Sequence, residues 1–224
     1  MNGNRKLHLL ITGATGLVGQ GVLHEALLAQ DIARITVLGR RTTGRTDPRL
    51  RELLVEDFTD LEKVESSLAG VDACLYCAGA PPLGTPEETY RQVTFAVTTS
   101  MARAFARAAP QGRFLYVSGA HANPSSIFMP LRIKGETEVA LKKLPLRTTM
   151  MRPGGVQPVH GEKSPHAGLA AMYRIAGPVM GLGVSLAPSL MTTTARLGRA
   201  MLAIARMPDP PAAVENAEIN RLGA

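Results

Sequence analysis

One turn near the N-terminus constrains this chain more than any other feature. Gly13-Ala14-Thr15-Gly16-Leu17-Val18-Gly19 separates an apolar run that reads as a strand, KLHLLITGA (6–14), from a helical pattern, LVGQGVLHEALLA (17–29). A strand that turns at once into a helix needs residues without side chains at fixed places. Gly13 allows the tight turn, Gly16 lets backbone approach a pyrophosphate, and Gly19 lets the helix pack closely on the sheet. The free N–H groups and the positive end of the helix dipole then face the phosphates. Gly13, Ala14, Thr15, Gly16, Leu17 and Val18 are therefore the expected cradle of a dinucleotide.

Behind this turn the chain keeps alternating between short apolar runs and helical patterns. RITVLGR (34–40), LRELLVED (50–57), DACLYCAGA (72–80), RFLYVSGA (113–120) and LRTTMMRPGG (146–155) read as strands. EETYRQVTFAVTTSMARAFARAA (87–109) reads as a long helix ending at Pro110, with further helices near 130–143 and 194–205. Strands buried on both faces and separated by helices predict an α/β fold with a doubly wound parallel sheet. Its ligand belongs beyond the carboxyl ends of the strands. A length of 224 residues suits one domain, with a core over about 5–155 and a smaller C-terminal lobe over about 156–224.

The end of the second strand selects the dinucleotide. NAD-binding proteins commonly place an acid there to hold the ribose 2′-hydroxyl. Here the strand ends Leu38-Gly39-Arg40-Arg41, and no acid follows until Asp47. Arginines stand at 40, 41, 45, 49 and 51, and a guanidinium can pair bidentately with a 2′-phosphate. Arg40 and Arg41 are the expected NADP(H) contacts, with a solvated basic loop as the alternative.

Other function classes fall away. The 25 Lys and Arg exceed the 18 Asp and Glu by +7, but much of that excess is the 40–51 cluster. With no DNA-reading motif and few aromatics, no nucleic-acid partner is expected. Two cysteines cannot form a disulfide framework, and the apolar start is too short for a signal peptide, so the cytoplasm is expected. Cys74 and Cys77 fall on a predicted strand, where residues three apart point to opposite faces, so a redox pair is expected only if that strand ends early. Histidines at 8, 24, 121, 160 and 166 show no metal-ligand spacing, and no metal site is expected. The uncharged stretch 175–195 is long enough to span a membrane, but Gly177, Pro178, Gly181, Gly183 and Pro188 interrupt it. A buried loop with short helices is the reading, with peripheral membrane or partner contact as the alternative. Met172, Tyr173, Met180, Leu182 and Leu186 either line an apolar substrate pocket or cap the core.

The TGATGLVG turn resembles that of the short-chain dehydrogenase/reductase superfamily, in its extended and atypical members. The likeness extends from Leu7 to about Ala205 and is nearest to small bacterial epimerase/dehydratase-like proteins. These are related to the Tat-interacting-protein-like and nitrogen-metabolite-repression-regulator-like branches. The resemblance implies a Rossmann core with helices on both faces and a small C-terminal substrate-side lobe. It further implies that Asp57 and Phe58 contact the adenine and that Cys77, Ala78 and Gly79 lie along the nicotinamide ribose. Ser118 takes the place of the family's catalytic serine or threonine, and would bind an oxyanion. Lys134, in the stretch Arg132–Glu138, takes that of its ribose-holding lysine, and Arg152-Pro153-Gly154 would meet the nicotinamide end.

One position departs from that pattern. The family's Tyr-x-x-x-Lys puts both side chains on one helix face, yet the residue four before Lys134 is Pro130. No tyrosine lies between 117 and 172. A proton would have to come from Ser118 through water, from Lys134, or from the substrate, with Tyr90 and His121 as groups that neighbouring segments could bring near. Two readings follow: an NADP(H)-dependent oxidoreductase acting on a small or apolar carbonyl, and an NADP(H)-binding regulator or partner-binding module without turnover.

Overall fold

The computed structural model describes residues 5–58, 61–82, 84–162 and 189–224. Six strands, β1 (Leu7–Thr12), β2 (Ile32–Gly39), β3 (Leu50–Leu54), β4 (Ala73–Tyr76), β5 (Arg113–Val117) and β6 (Arg147–Arg152), lie in one parallel sheet. A seventh strand, Ala213–Glu215, joins at the β6 edge, giving the order β3-β2-β1-β4-β5-β6 and then that strand. Gly155–Gln157 (β7) and Met191–Thr193 (β8) form a separate parallel ribbon, so the edge strand is β9.

The two-residue period of a strand explains why helices cover both faces. Leu9 and Ile11 point into one apolar cluster with Leu75, Leu115 and Met151, while Leu10 points into the other with Cys74, Tyr76 and Phe114. The first cluster is closed by α1 (Leu17–Leu28) and by α6 (Thr194–Arg206). The second is closed by α4 (Val97–Ala108) and by α5 (Met129–Lys142); between β3 and β4 runs the short α2 (Glu62–Glu65). The predicted helix over 87–109 is α3 (Glu87–Arg91), a π-helical stretch Gln92–Ala96, and α4, stopping before Pro110. Thr193 caps α6, its hydroxyl accepting from Arg196 N at 3.0 Å.

Several strands end sooner than the apolar runs. β4 stops at Tyr76 because its partner β1 ends at Thr12, where the glycine turn begins. β3 stops at Leu54, opposite the end of β2 at Gly39. β6 stops at Arg152 because Pro153 has no N–H to give. Residues 191–224, expected in the C-terminal lobe, return to the sheet: α6 packs on α1, β9 extends the sheet, and α7 (Asn216–Leu222) packs on α6. Met172, Tyr173, Met180, Leu182, Leu186 and His166 lie outside the described residues, as does most of the uncharged stretch. No helix among the described residues is long and apolar enough to cross a membrane.

Candidate functional site

The glycine turn has the expected shape. Gly13 adopts φ 69°, a left-handed conformation that side chains disfavour, and a Cβ there would stand 2.5 Å from Ala78 N. The turn after β1 and the Cys77-Ala78 segment after β4 are therefore in direct contact, tied also by Cys77 N donating to Thr12 O at 3.2 Å. At Gly19 a Cβ would fall 2.0 Å from Gly13 O, so the first turn of α1 rests on the glycine turn itself. Gly16 is the N-cap of α1, with no side chain to satisfy the first helical N–H groups. A ligand phosphate fits that vacancy in hydrogen bonding.

Arg40 and Arg41 follow β2 directly, both exposed, and neither makes a hydrogen bond or ion pair with the described residues. The other arginines of the cluster are not equivalent. Arg49 pairs with Asp47 at 3.0 Å and donates to the carbonyls of Leu27, Ala29 and Ile32, tying the end of α1 to β2. It therefore serves the fold and is lost to a ligand. Asp57 and Phe58 lie just past β3; Asp57 is exposed, and Phe58 packs against the second cluster.

On the far side of β4 the structure brings Ser118, Lys134 and Arg152 together, around a residue the sequence reading passed over. Ser118, buried just past β5, donates its hydroxyl hydrogen to Glu138 Oε1 at 2.7 Å. Arg152 donates to both oxygens of the same carboxylate, at 2.9 and 2.5 Å, and to Glu215 at 2.8 Å. Glu138 is 3% exposed, and its partnership holds the Arg152 guanidinium above even its usual high range. Two expectations are corrected here. The Ser118 hydrogen is committed to a carboxylate and is not free for an oxyanion. All three nitrogens of the Arg152 guanidinium donate to acids, so Arg152 is committed to Glu138 and Glu215, and the Pro153 carbonyl already accepts from Ala120 N at 2.8 Å. The signal for Glu138 was present, since Lys134 and Glu138 stand four apart on one face of α5.

Lys134 lies along the backbone that follows β5. Its ammonium donates to Ser118 O and passes over Gly119, where a Cβ would stand 3.3 Å from Nζ. Burial pushes its pKa down to about 8, against a smaller opposing pull from Glu138. Pro130, in the first turn of α5, leaves that position without a proton to give. Tyr90 does not fill the gap at the surface: it is wholly buried, and burial raises its phenol pKa. His121 is exposed, with a left-handed φ of 61°. Burial raises the Cys77 thiol to about 12, which disfavours the thiolate.

Comparison with known proteins decides the family. Residues 9–142 match the NAD dependent epimerase/dehydratase family. The chain belongs to that family. Among curated relatives, "Protein fmp52, mitochondrial" of Aspergillus fumigatus is 31% identical over 181 residues, covering 77% of this chain and 76% of that one. "Protein HTATIP2" of Rattus norvegicus is 26% identical over 168 residues, covering 74% and 69%. These bear out the likeness to atypical short-chain dehydrogenases/reductases and to the Tat-interacting-protein-like branch. Among solved structures, MoeE5 in complex with UDP-glucuronic acid and NAD superposes with a TM-score of 0.68 at 18% identity, over 92% of this chain and 75% of that one. UDP-N-acetylglucosamine 4-epimerase from Methanobrevibacter ruminantium M1 gives 0.69 at 15%, over 94% and 76%. Such likenesses establish the Rossmann-like fold. A nicotinamide dinucleotide is the family's cofactor, and the glycine turn, with Gly16 at the helix N-cap and no side-chain cap on the first N–H groups of α1, fits it.

Proposed function

We propose that the chain binds NADP(H) at the glycine turn and exchanges a hydride with a small or apolar carbonyl compound, Lys134 supplying the proton. Gly13, Ala14, Thr15, Gly16, Leu17 and Val18 line the pyrophosphate, which takes backbone N–H groups of the turn and of the start of α1, the Gly16 N–H being spent on Gly13 O at 2.9 Å. Arg40 and Arg41, without partners among the described residues, hold the 2′-phosphate. Asp57 and Phe58 flank the adenine side; Cys77, Ala78, Gly79 and Pro153 flank the nicotinamide side, and Lys134 reaches the ribose. When bound, the nicotinamide supplies the carbon that exchanges hydride.

The observation that carries the reading is the enclosed Lys134 ammonium beside Ser118 O and Gly119, its pKa down at about 8, in a site with no tyrosine acid among the described residues. An acid of that strength is protonated at neutral pH yet gives up its proton readily. Glu138, fixed by Arg152, holds Ser118 still and so fixes the carbonyl on which Lys134 rests. NADPH oxidation against aldehydes, ketones and quinones tests this. Carbonyl reduction is expected to fall as pH rises through about 8, and Lys134→Met is expected to lose turnover. Turnover that is flat across that range and undiminished in Lys134→Met contradicts the assignment.

Pro130 favours a second reading, a nucleotide-dependent binding module without turnover. Tight NADPH binding with no carbonyl turnover, and turnover emerging in Pro130→Tyr, would support it.

A further inference from the structure

Two turns into α1, His24 and Glu25 meet a side chain from far along the sequence. The imidazoles of His24 and His160 stack with centroids 4.2 Å apart at a tilt of 33°. His160 Nε2 lies 3.4 Å from Glu25 Oε1, and one donor atom from each of the three side chains falls within 4.8 Å of the others. Tetrahedral zinc ligands at their usual bond lengths stand about 3.4 Å apart. The His160–Glu25 separation already has that value, and no other side of the triangle exceeds 4.8 Å.

The surroundings are those of a built site. Glu25 is 7% exposed, and its carboxylate accepts no hydrogen bond from the described residues. Enclosed acids of this kind are commonly paired with a cation or bound to a metal. Glu25 is seated in a space left by α6, where a Cβ on Gly198 would stand 2.9 Å from Glu25 Cγ. The loop that presents His160 is pinned by Glu162, whose Oε2 accepts from Val159 N at 2.9 Å and His160 N at 2.7 Å. Its other oxygen accepts from the Thr194 hydroxyl at 2.7 Å, anchoring the loop to α6.

We propose that His24, Glu25 and His160 form a binding site for one divalent transition-metal ion of the zinc class, with solvent completing its coordination. Two imidazoles and a carboxylate suit such an ion, and Glu162 is the outer partner that holds the His160 loop in place. Metal binding clips the segment that leaves β7 onto α1, the helix whose N-terminus is the glycine turn. The site shares no residue with the proposed nucleotide and proton-transfer groups, and stands or falls without them.

Calorimetric titration of tag-free, chelator-stripped, full-length protein with zinc chloride, without nucleotide, tests the proposal. One equivalent is expected to bind tightly and to raise the melting temperature. Glu162→Gln is expected to weaken binding about 10–100-fold, as loss of an outer partner does. His24→Ala, His160→Ala and the isosteric Glu25→Gln are each expected to weaken it more than that. Cobalt in place of zinc is expected to give visible absorption bands that His160→Ala abolishes. Circular dichroism shows which variants remain folded. The proposal is overturned if the native protein takes up no zinc, or if a folded His24→Ala/His160→Ala variant binds it with unchanged affinity.

Discussion

Lys134 carries two different pH dependences, and they can be separated. A lysine ionises near 10.5 when unfolded, but in the fold burial brings this to about 8. Between those values the unfolded chain holds the extra proton, so stability conferred through Lys134 rises with pH across that window. Below about 8 both states are charged and the full cost of enclosing the ammonium is present. Thermal melts of the native protein and Lys134→Met should therefore show the native protein gaining on the variant from about pH 8 to 10.5. Carbonyl reduction, which needs the protonated form, should fall over the same rise. At Glu138 the effect is on stability: Glu138→Ala leaves Arg152 with only the more exposed Glu215 and Ser118 with no acceptor. Denaturant unfolding should show a loss of about 3 kcal/mol, the usual result of removing one partner from a buried ion pair. Replacing Glu138 and Arg152 together by methionine should recover much of it. Spacing links only Lys134 and Glu138; the rest of the network could not be read from it, because Ser118, Arg152 and Glu215 are brought to Glu138 from separate parts of the chain.

At the scale of elements, the strand–turn–helix unit was the most legible part of the chain. Its glycines are dictated by backbone contacts that only a missing side chain permits. Gly13→Ala combines a left-handed residue, costing about 1–2 kcal/mol, with a collision at Ala78, so melts should show clear destabilisation as well as lost nucleotide binding. Gly16→Ala differs. Its φ of −83° suits any residue, and its Cβ would meet only Gly13 O, at 3.2 Å. That variant should keep its melting temperature within a few degrees while losing affinity for NADPH, which distinguishes support of the turn from contact with the phosphates. Strand ends were less legible. Apolar runs at 50–57 and 72–80 continue past the point where the neighbouring strand stops, and pairing rather than hydropathy sets the boundary. Arg49 was hidden for a similar reason: beside Arg40 and Arg41 in sequence, it is drawn instead to three carbonyls around the α1–β2 connection.

For the whole molecule, period-two alternation in the strands and the βαβ order were enough to anticipate a sheet covered on both faces. What they did not reveal is that the chain's last segment returns to it. β9 is only three residues long, and its neighbour β6 is chosen by packing of α6 and α7 rather than by a pattern of its own. The pairing of His24 with His160 is legible only in three dimensions for the same reason, since β7 and the loop after it are carried back over α1. Fold and family thus rest on the parallel sheet and its first turn. The proposed choice of NADP(H) rests on Arg40 and Arg41 at the end of β2, which have no partner among the described residues. Calorimetric titration with NADPH and NADH at one salt concentration, on the native protein and Arg40→Ala/Arg41→Ala, tests that choice most directly. The account predicts a preference for NADPH that falls about 10–100-fold in the variant, as expected for one or two lost hydrogen bonds to a charged group, with NADH affinity nearly unchanged. Equal binding of the two nucleotides by the native protein, or a preference that survives in the variant, would contradict it.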